Sequence, residues 1–228
     1  MKQLALPVRL RAEAVFNSFS AGPNGEVLAA LRSGETAPMW LWGAPGSGKT
    51  HLLQAACAAA GSAAAAYFPM GTPGLPPEAL QGFASRGVLC IDDMEAIAGD
   101  RRWEQALFQL FHEALELRTR LIFAASAPPM ALPWTLGDWR SRATACIVYQ
   151  LRELGDEGRI EALRLRALQR GMQLPPETAD YLLRRMPRDL TSLLGILDDL
   201  DEASLAAQRR LTIPFIRDAL ERNAGTRP

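Results

Sequence analysis

The sequence predicts an α/β protein with a parallel sheet and helices on both of its faces, followed by a small all-helical domain. Up to residue 150, short runs that are apolar throughout alternate with segments of helical periodicity. Strands that are apolar throughout are typical of a parallel sheet buried on both faces. Beyond residue 151 no strand pattern remains and three or four amphipathic segments follow.

The predicted elements follow from hydrophobic periodicity and from proline and glycine. The strands are expected at residues 39–42, 65–68, 87–91, 121–125 and 146–149. Helices are expected from Thr50 onward, over 103–118 and 156–170, after Pro175-Pro176, near Arg188 and after Thr212. Four prolines and two glycines between residues 69 and 77 predict a loop. We therefore expect an α/β domain at 11–150 and a helical domain at 151–228.

Composition restricts the function. The chain carries 25 basic and 25 acidic residues and a pI near 6.8. A protein held to nucleic acid by a broad basic surface is therefore not expected. Cys57, Cys90 and Cys146 lie apart among apolar residues, which indicates reduced core thiols of a cytosolic protein rather than a metal site. No signal peptide or membrane-spanning segment is recognisable, so a soluble, cytoplasmic protein is expected.

The most specific motif is a glycine-rich string after the first predicted strand. Residues Gly43-Ala44-Pro45-Gly46-Ser47-Gly48-Lys49-Thr50 match G-x-x-x-x-G-K-[ST]. Backbone N–H groups of such a loop surround phosphate oxygens, with Lys49 at the β and γ phosphates and the Thr50 hydroxyl on Mg²⁺. The alternative is a glycine-rich turn beside a surface lysine.

Two acids follow another apolar strand about forty residues later. Asp92 is expected to hold Mg²⁺, partly through water, and Asp93 to orient an attacking water. Adjacent acids at a strand end can also be ordinary solvated residues or a helix N-cap. The glycine-rich string upstream favours the metal-binding interpretation.

Several further strings resemble the DnaA branch of the AAA+ superfamily. Trp139-Arg140-Ser141-Arg142 is similar to the element that carries an arginine finger, and Pro187-Arg188-Asp189-Leu190 to the sensor II segment. Phe16-Asn17-Ser18-Phe19, with Asn24 after it, is similar to the segment that leads into the nucleotide pocket. The resemblance implies bound ADP or ATP with Mg²⁺, and it adds His51, Ser126 and Arg188 to the expected nucleotide contacts.

Two features narrow the resemblance to the Hda family of regulators that inactivate DnaA. The chain ends at residue 228, and no DNA-binding domain of the DnaA type is expected. Near its start, Gln3-Leu4-Ala5-Leu6-Pro7 resembles the peptide with which that family docks on the DNA polymerase III sliding clamp, its β subunit. Gln3 would hydrogen-bond, Leu4 and Leu6 would anchor, and Pro7 favours extended backbone. Residues 1–10 are therefore expected to form a clamp-binding peptide, unless they form a strand or a tail against the domain.

The resemblance implies that the protein inserts Arg142 beside the γ-phosphate of ATP bound to DnaA. Its partners would be DnaA and the sliding clamp, with DNA reached indirectly through the clamp, no membrane, and self-association in some nucleotide states. Alternatively, Arg142 is a surface residue bonded to a local carboxylate such as Asp138. Arg188 would contact the chain's own nucleotide, unless it belongs to a solvated helix face with Arg184 and Arg185.

The chain also departs from the family pattern. Ala124 and Ala125 are apolar beside Ser126 at the sensor I position, and Asp93 stands where many AAA+ ATPases have glutamate. We therefore expect slow self-hydrolysis, with Asp93 and Arg142 as the residues that act on ATP. Two alternatives remain open at this point: an autonomous AAA+ ATPase, such as a helicase loader or truncated initiator, and an enzyme of another P-loop class, such as a kinase.

Overall fold

The structure is a computed structural model that describes residues 13–61, 63–187, 189–207 and 211–224, the last five by backbone alone. Within these ranges the chain divides into two compact units. The α/β unit contains residues up to Phe19 and Pro23–Glu153, and the lid unit contains Ser20–Gly22 and the residues from Leu154 onward.

Five parallel strands form the sheet of the α/β unit. They are β1 Met39–Trp42, β2 Ala65–Pro69, β3 Val88–Asp92, β4 Arg120–Ala125 and β5 Ile147–Gln150. Their order is β2-β3-β4-β1-β5, with every neighbouring pair parallel. The carboxyl ends of β1, β3 and β4 therefore lie side by side at one edge of the sheet, where ligands of open α/β sheets bind.

Helices cover the sheet. They are α1 Gly25–Arg32, α2 Lys49–Ala60, α3 Arg101–Glu116 and α4 Gly137–Thr144. Short 3₁₀ helices lie at Phe16–Ser18, Gly22–Asn24, Pro77–Leu80, Met94–Ala96 and Pro129–Ala131. Helices α1 and α4 were not predicted from the sequence, because each is only eight residues long, and α4 has only Trp139 and Ala143 as buried positions.

Each face of the sheet carries its own hydrophobic core, which confirms the predicted burial on both faces. One core joins Trp40, Ile91 and Phe123 to α3 and α4, and the other joins Leu41, Cys90 and Ile122 to α1 and α2. Successive strand residues point to opposite faces, so neighbours such as Trp40 and Leu41 enter different cores. The three cysteines are free and buried, as expected.

Three tryptophans form an aromatic cluster beneath the loop between β4 and α4. The rings of Trp40, Trp134 and Trp139 meet edge to face, at centroid distances of 6.2 Å for Trp40–Trp134 and 5.9 Å for Trp134–Trp139. Trp40 Nε1 donates to Ala127 O over 3.1 Å, and Trp134 Nε1 donates to Pro129 O over 2.8 Å. These bonds hold the loop to the core.

The lid unit is all-helical, as predicted. Its helices are α5 Asp156–Gln169, α6 Pro176–Arg185, α7 Leu190–Ala207 and α8 Ile213–Ala224. Leu163, Leu197 and Phe215 lie at the centre of its core. Bidentate hydrogen bonds from Arg166 to Asp198 join α5 to α7. Among the described residues, no helix is long and apolar enough to span a bilayer.

Candidate nucleotide-binding site

The glycine-rich string forms the turn from the end of β1 into α2. Gly46 and Gly48 have φ angles of 78° and 97°, which L-residues rarely adopt. A Cβ on Gly48 would lie 2.6 Å from Phe19 Cε2, and one on Gly43 would lie 2.4 Å from Leu151 O. Residues 43 and 48 must therefore be glycine, and the backbone of the loop can approach a ligand closely.

Lys49 folds back over this loop. Its Nζ donates to Gly43 O over 2.7 Å and to Ala44 O over 3.0 Å. Burial lowers the pKa of Lys49, while Glu95, Asp92 and Asp93 oppose that shift. The ammonium group is thus bonded to the loop, and it is close enough to three carboxylates to feel their charge.

Asp92 meets Thr50 at the centre of the site. The Thr50 hydroxyl donates to Asp92 Oδ2 over 2.7 Å, and the Tyr67 hydroxyl donates to the same oxygen over 2.8 Å. The backbone N–H of Asp93 donates to Asp92 Oδ1 over 3.0 Å. Asp92 is only 1% exposed, so these donors fix its carboxylate.

Tyr67 was not identified from the sequence, because it occupies a position in β2 that fits an ordinary core residue. Burial raises the pKa of Tyr67, and the neighbouring Asp92 raises it further. The hydroxyl therefore stays protonated and acts as a donor. The sequence did hold one signal for this role: a tyrosine within an otherwise apolar strand. Because buried tyrosine hydroxyls usually have a polar partner, such a residue indicates a hydrogen bond to a neighbouring strand.

Asp93 adopts a left-handed backbone conformation, with φ 58° and ψ 43°. Its carboxylate faces the turn after β2, where Asp93 Oδ2 would lie 3.3 Å from a Cβ on Gly71. Burial raises the pKa of Asp93, and the charges of Asp92 and Glu95 add to this shift. A raised pKa makes a carboxylate a better base near neutral pH.

Glu95 is a second residue that sequence reasoning missed. Its Oε2 accepts a hydrogen bond of 3.1 Å from the backbone N–H of Ser126, the residue that follows β4. The Ser126 backbone is therefore joined to the acidic segment after β3. Two strand ends that the sequence separates by about thirty residues thus meet through one carboxylate.

The residues before α1 pack on the start of α2. His51 Nε2 lies 3.2 Å from Ser18 Oγ and 3.1 Å from Val15 O, and its ring is tilted against Phe19. Asn24 exchanges hydrogen bonds of 2.9 and 2.8 Å with the backbone of Arg152. Ser47 Oγ is buried without a hydrogen-bond partner among the described residues.

Arg142 lies on the exposed face of α4. The helix is anchored in the core by Trp139 and Ala143, both 0% exposed. Within the described part of the chain, the Arg142 side chain forms no ion pair, and none joins it to Asp138. Arg140 is exposed on the same helix.

Other expected site residues lie outside the described residues. These are Arg188 and the peptide residues Gln3, Leu4, Leu6 and Pro7.

The donor set of the loop fits a nucleotide with Mg²⁺. A hydroxyl from Thr50 and a carboxylate from Asp92 are the oxygen ligands that Mg²⁺ prefers, and Mg²⁺ usually retains several waters. The loop backbone precedes the N-terminus of α2, which favours an anion. The Ser47 hydroxyl, which has no hydrogen-bond partner in the part of the chain that the structure describes, is a further polar group in the loop.

The lid helices match a known protein family, and the fold matches solved structures. Residues 156–220 match the family described as Hda, lid domain. The structure resembles domain III of the Thermotoga maritima replication initiation protein DnaA, with a TM-score of 0.78 and 20% identity over 94% of this chain and 98% of that one. Residues 156–220 are therefore similar to an Hda lid, and the chain has the fold of DnaA domain III.

Other solved structures share this fold. AMPPCP-bound DnaA from Aquifex aeolicus aligns at a TM-score of 0.69 and 22% identity, covering 84% of this chain and 66% of that one. The RuvB Holliday junction branch migration motor of Thermotoga maritima aligns at a TM-score of 0.62 and 17% identity, over 85% and 64% of the two chains. The predicted AAA+ fold with a helical lid is thus confirmed.

Proposed function

We propose that this protein is a nucleotide-bound regulator of DnaA that supplies Arg142 in trans to stimulate hydrolysis of DnaA-bound ATP and so prevents re-initiation. The observation that carries the proposal is the placement of Arg142. It is exposed and without an ion pair among the described residues, on a helix that Trp139 and Ala143 anchor in the core. The match of residues 156–220 to the Hda lid supports the same function.

An arginine in this position has the properties that a finger needs. A guanidinium beside a transferring γ-phosphate stabilises the negative charge that develops there, and a neighbouring molecule can provide it. Because no carboxylate of the described residues holds Arg142, no ion pair has to break before it engages. A helix fixed by Trp139 and Ala143 presents the side chain from a rigid base.

The chain's own site is proposed to bind ADP or ATP with Mg²⁺, and ADP is the proposed working ligand. The similar AMPPCP-bound DnaA from Aquifex aeolicus supports nucleotide binding. Gly43–Thr50 would bind the phosphates, and Thr50 and Asp92 would hold Mg²⁺, which neutralises phosphate charge when bound. The Ser47 hydroxyl and the loop N–H groups are further phosphate donors in this proposal. His51, Ser126 and Arg188 are proposed nucleotide contacts from the family resemblance.

The N-terminal peptide is proposed to dock the protein on the β sliding clamp. Gln3 would hydrogen-bond, Leu4 and Leu6 would fill apolar pockets, and Pro7 would keep the peptide extended. The clamp would bring the protein to DNA indirectly. We also propose self-association in some nucleotide states, because a second copy of this chain offers its own P-loop to the exposed face of α4.

The decisive experiment measures hydrolysis of ATP preloaded on DnaA in the presence of clamp-loaded DNA. The native protein is expected to accelerate hydrolysis, and Arg142→Ala is expected to fall near the intrinsic rate of DnaA, since an arginine finger accounts for about 10³–10⁵ in rate. Arg140→Ala, exposed on the same helix, is the matched control and should retain stimulation. Full stimulation by a folded Arg142→Ala protein would refute the proposal.

The complete P-loop favours one other function, an autonomous AAA+ ATPase. The bond between Thr50 and Asp92 supports this alternative, because it joins the two expected halves of a hydrolytic site. Steady-state ATP turnover of the isolated protein separates the two functions. Fast turnover that DNA stimulates, with no effect on DnaA, would favour the autonomous ATPase.

A further inference from the structure

Glu104 is a fully buried carboxylate on α3, 0% exposed. Its Oε2 accepts hydrogen bonds from the backbone N–H of Thr135 over 3.0 Å, from the Thr135 hydroxyl over 3.1 Å and from the N–H of Leu136 over 2.6 Å. Its Oε1 accepts from Gly99 N over 2.9 Å and from Thr135 N over 3.1 Å. No lysine or arginine of the described residues pairs with it.

A buried carboxylate that lacks a cationic partner is stabilised only by its donors. Every donor to Glu104 named above is neutral, and four of the five bonds come from backbone N–H groups. This arrangement holds those backbone segments in one geometry, because moving any of them would leave a buried charge poorly solvated.

The segment held most closely is the beginning of α4. Leu136 is the N-cap residue of that helix and has no polar side chain to cap it. Glu104 therefore supplies the anionic group that favours a helix N-terminus. Since α4 is only eight residues long, the direction set at Leu136 also sets the direction in which Arg142 projects.

The same carboxylate reaches the segment that follows the acidic strand end. Gly99, with φ 94°, lies beyond the 3₁₀ helix Met94–Ala96 that begins directly after Asp93. Through Glu104, the Gly99 backbone and the Leu136 backbone share one anchor. The loop after the Asp92-Asp93 pair and the loop before α4 are therefore fixed relative to each other.

We propose that Glu104 is a positioning residue for Arg142, and that it sets the orientation of α4 required for the guanidinium to reach the γ-phosphate on a partner. The inference rests on the proposed function of Arg142. Glu104 lies in the interior of the protein. It would act on hydrolysis by fixing the start of α4, without contacting the nucleotide.

The test replaces Glu104 by glutamine, which keeps the shape but turns an NH₂ group toward N–H donors. Glu104→Gln is expected to reduce the maximal stimulated rate of hydrolysis on DnaA by about tenfold to a hundredfold, the effect of a displacement near 1 Å. The concentration for half-maximal stimulation and the affinity for ADP are expected to stay unchanged. Glu113→Gln, exposed on the same helix, is the matched control and should have the native rate.

A milder variant keeps the inference testable if Glu104→Gln does not fold. Thr135→Val removes only the hydroxyl donor to Glu104 Oε2, and the expected loss in the maximal rate is about two- to tenfold. If circular dichroism shows that Glu104→Gln is poorly folded, Thr135→Val carries the same comparison. A native maximal rate in the folded variant would overturn the inference.

The double variant shows whether Glu104 acts through Arg142. In the Arg142→Ala background, Glu104→Gln is expected to cause no further loss, because the group that it positions is already absent. An equal fold-loss in both backgrounds would overturn the inference. Full stimulation by Arg142→Ala alone would refute the proposed function itself, whereas loss with Arg142→Ala and none with Glu104→Gln would refute only the positioning role.

Discussion

The Thr50 hydroxyl donates a 2.7 Å hydrogen bond to Asp92 Oδ2, across 42 residues of sequence. This bond joins the first turn of α2 to the end of β3. With the donors from Tyr67 and Asp93, it orients the Asp92 carboxylate through protein groups alone. The orientation of Asp92, the proposed Mg²⁺ ligand, is therefore determined by the apolar strands that carry it and its neighbours.

Tyr67→Phe is expected to weaken Mg²⁺-dependent nucleotide binding by about tenfold, because groups that orient a metal-holding carboxylate typically contribute that much. The ring would remain packed, so the protein should stay folded. Titration of Mg²⁺ against binding of a fluorescent ADP analogue measures the effect. Tyr149→Phe, on β5 of the same sheet, is the control. An unchanged Mg²⁺ dependence would show that Thr50 and the backbone suffice.

Gly48→Ala is expected to abolish nucleotide binding, because its Cβ would meet Phe19 and its φ angle is 97°. Gly61→Ala separates the two causes, since Gly61 has φ 84° with open space around a Cβ. Both variants should lose about 1–3 kcal/mol of stability, because both backbones have a positive φ that alanine adopts only with strain. Only Gly48→Ala should lose ADP binding in calorimetry, and retained binding would contradict the tight approach at Phe19.

Asp93→Asn is expected to stabilise the nucleotide-free protein at neutral pH. Because burial and the charges of Asp92 and Glu95 raise the pKa of Asp93, its contribution to stability is fully present below the ordinary aspartate pKa of about 3.9. That contribution is lost as the pH rises through the raised folded pKa. Asparagine has no charge to lose and tolerates left-handed backbone.

The melting temperature of Asp93→Asn should therefore exceed that of the native protein near pH 7, and the difference should shrink toward about pH 4. Asp199→Asn, which removes an exposed carboxylate of α7, is the control for net charge. A difference that stays constant with pH would assign the effect to backbone preference alone.

Gln3→Ala combined with Leu4→Ala is expected to weaken binding to the sliding clamp by at least about tenfold, because a polar contact and an apolar anchor are removed together. Surface plasmon resonance with immobilised clamp measures the affinity, and Lys2→Ala is the neighbouring control. Native affinity in the double variant would remove the clamp-docking proposal, whereas the proposed role of Arg142 is decided separately by the hydrolysis experiment.

The strands were predictable because burial on both faces leaves a plain signal in the sequence. The run 39–42 became β1 at Met39–Trp42, and 121–125 became β4 at Arg120–Ala125. Helix α4 left no such signal, since only Trp139 and Ala143 of its eight residues are buried. A short helix held by two side chains and an external carboxylate cannot show a recognisable period.

The site was predictable only where a motif fixes both residue type and spacing. Lys49, Thr50 and Asp92 follow from the glycine-rich string and the acidic strand end. Tyr67 and Glu104 do not, because their roles depend on hydrogen bonds between segments 25 and more residues apart. Such contacts are determined by strand order and helix packing, and neither can be read from a single sequence.

The tryptophan cluster beneath the β4–α4 loop has a practical optical consequence. The chain has five tryptophans, all before residue 154, so every one belongs to the α/β unit. Indole emission therefore reports on that unit alone, while far-ultraviolet dichroism records the helices of both. The protein carries an intrinsic fluorophore on one of its two halves, and the melting of each half can be followed separately without any added dye.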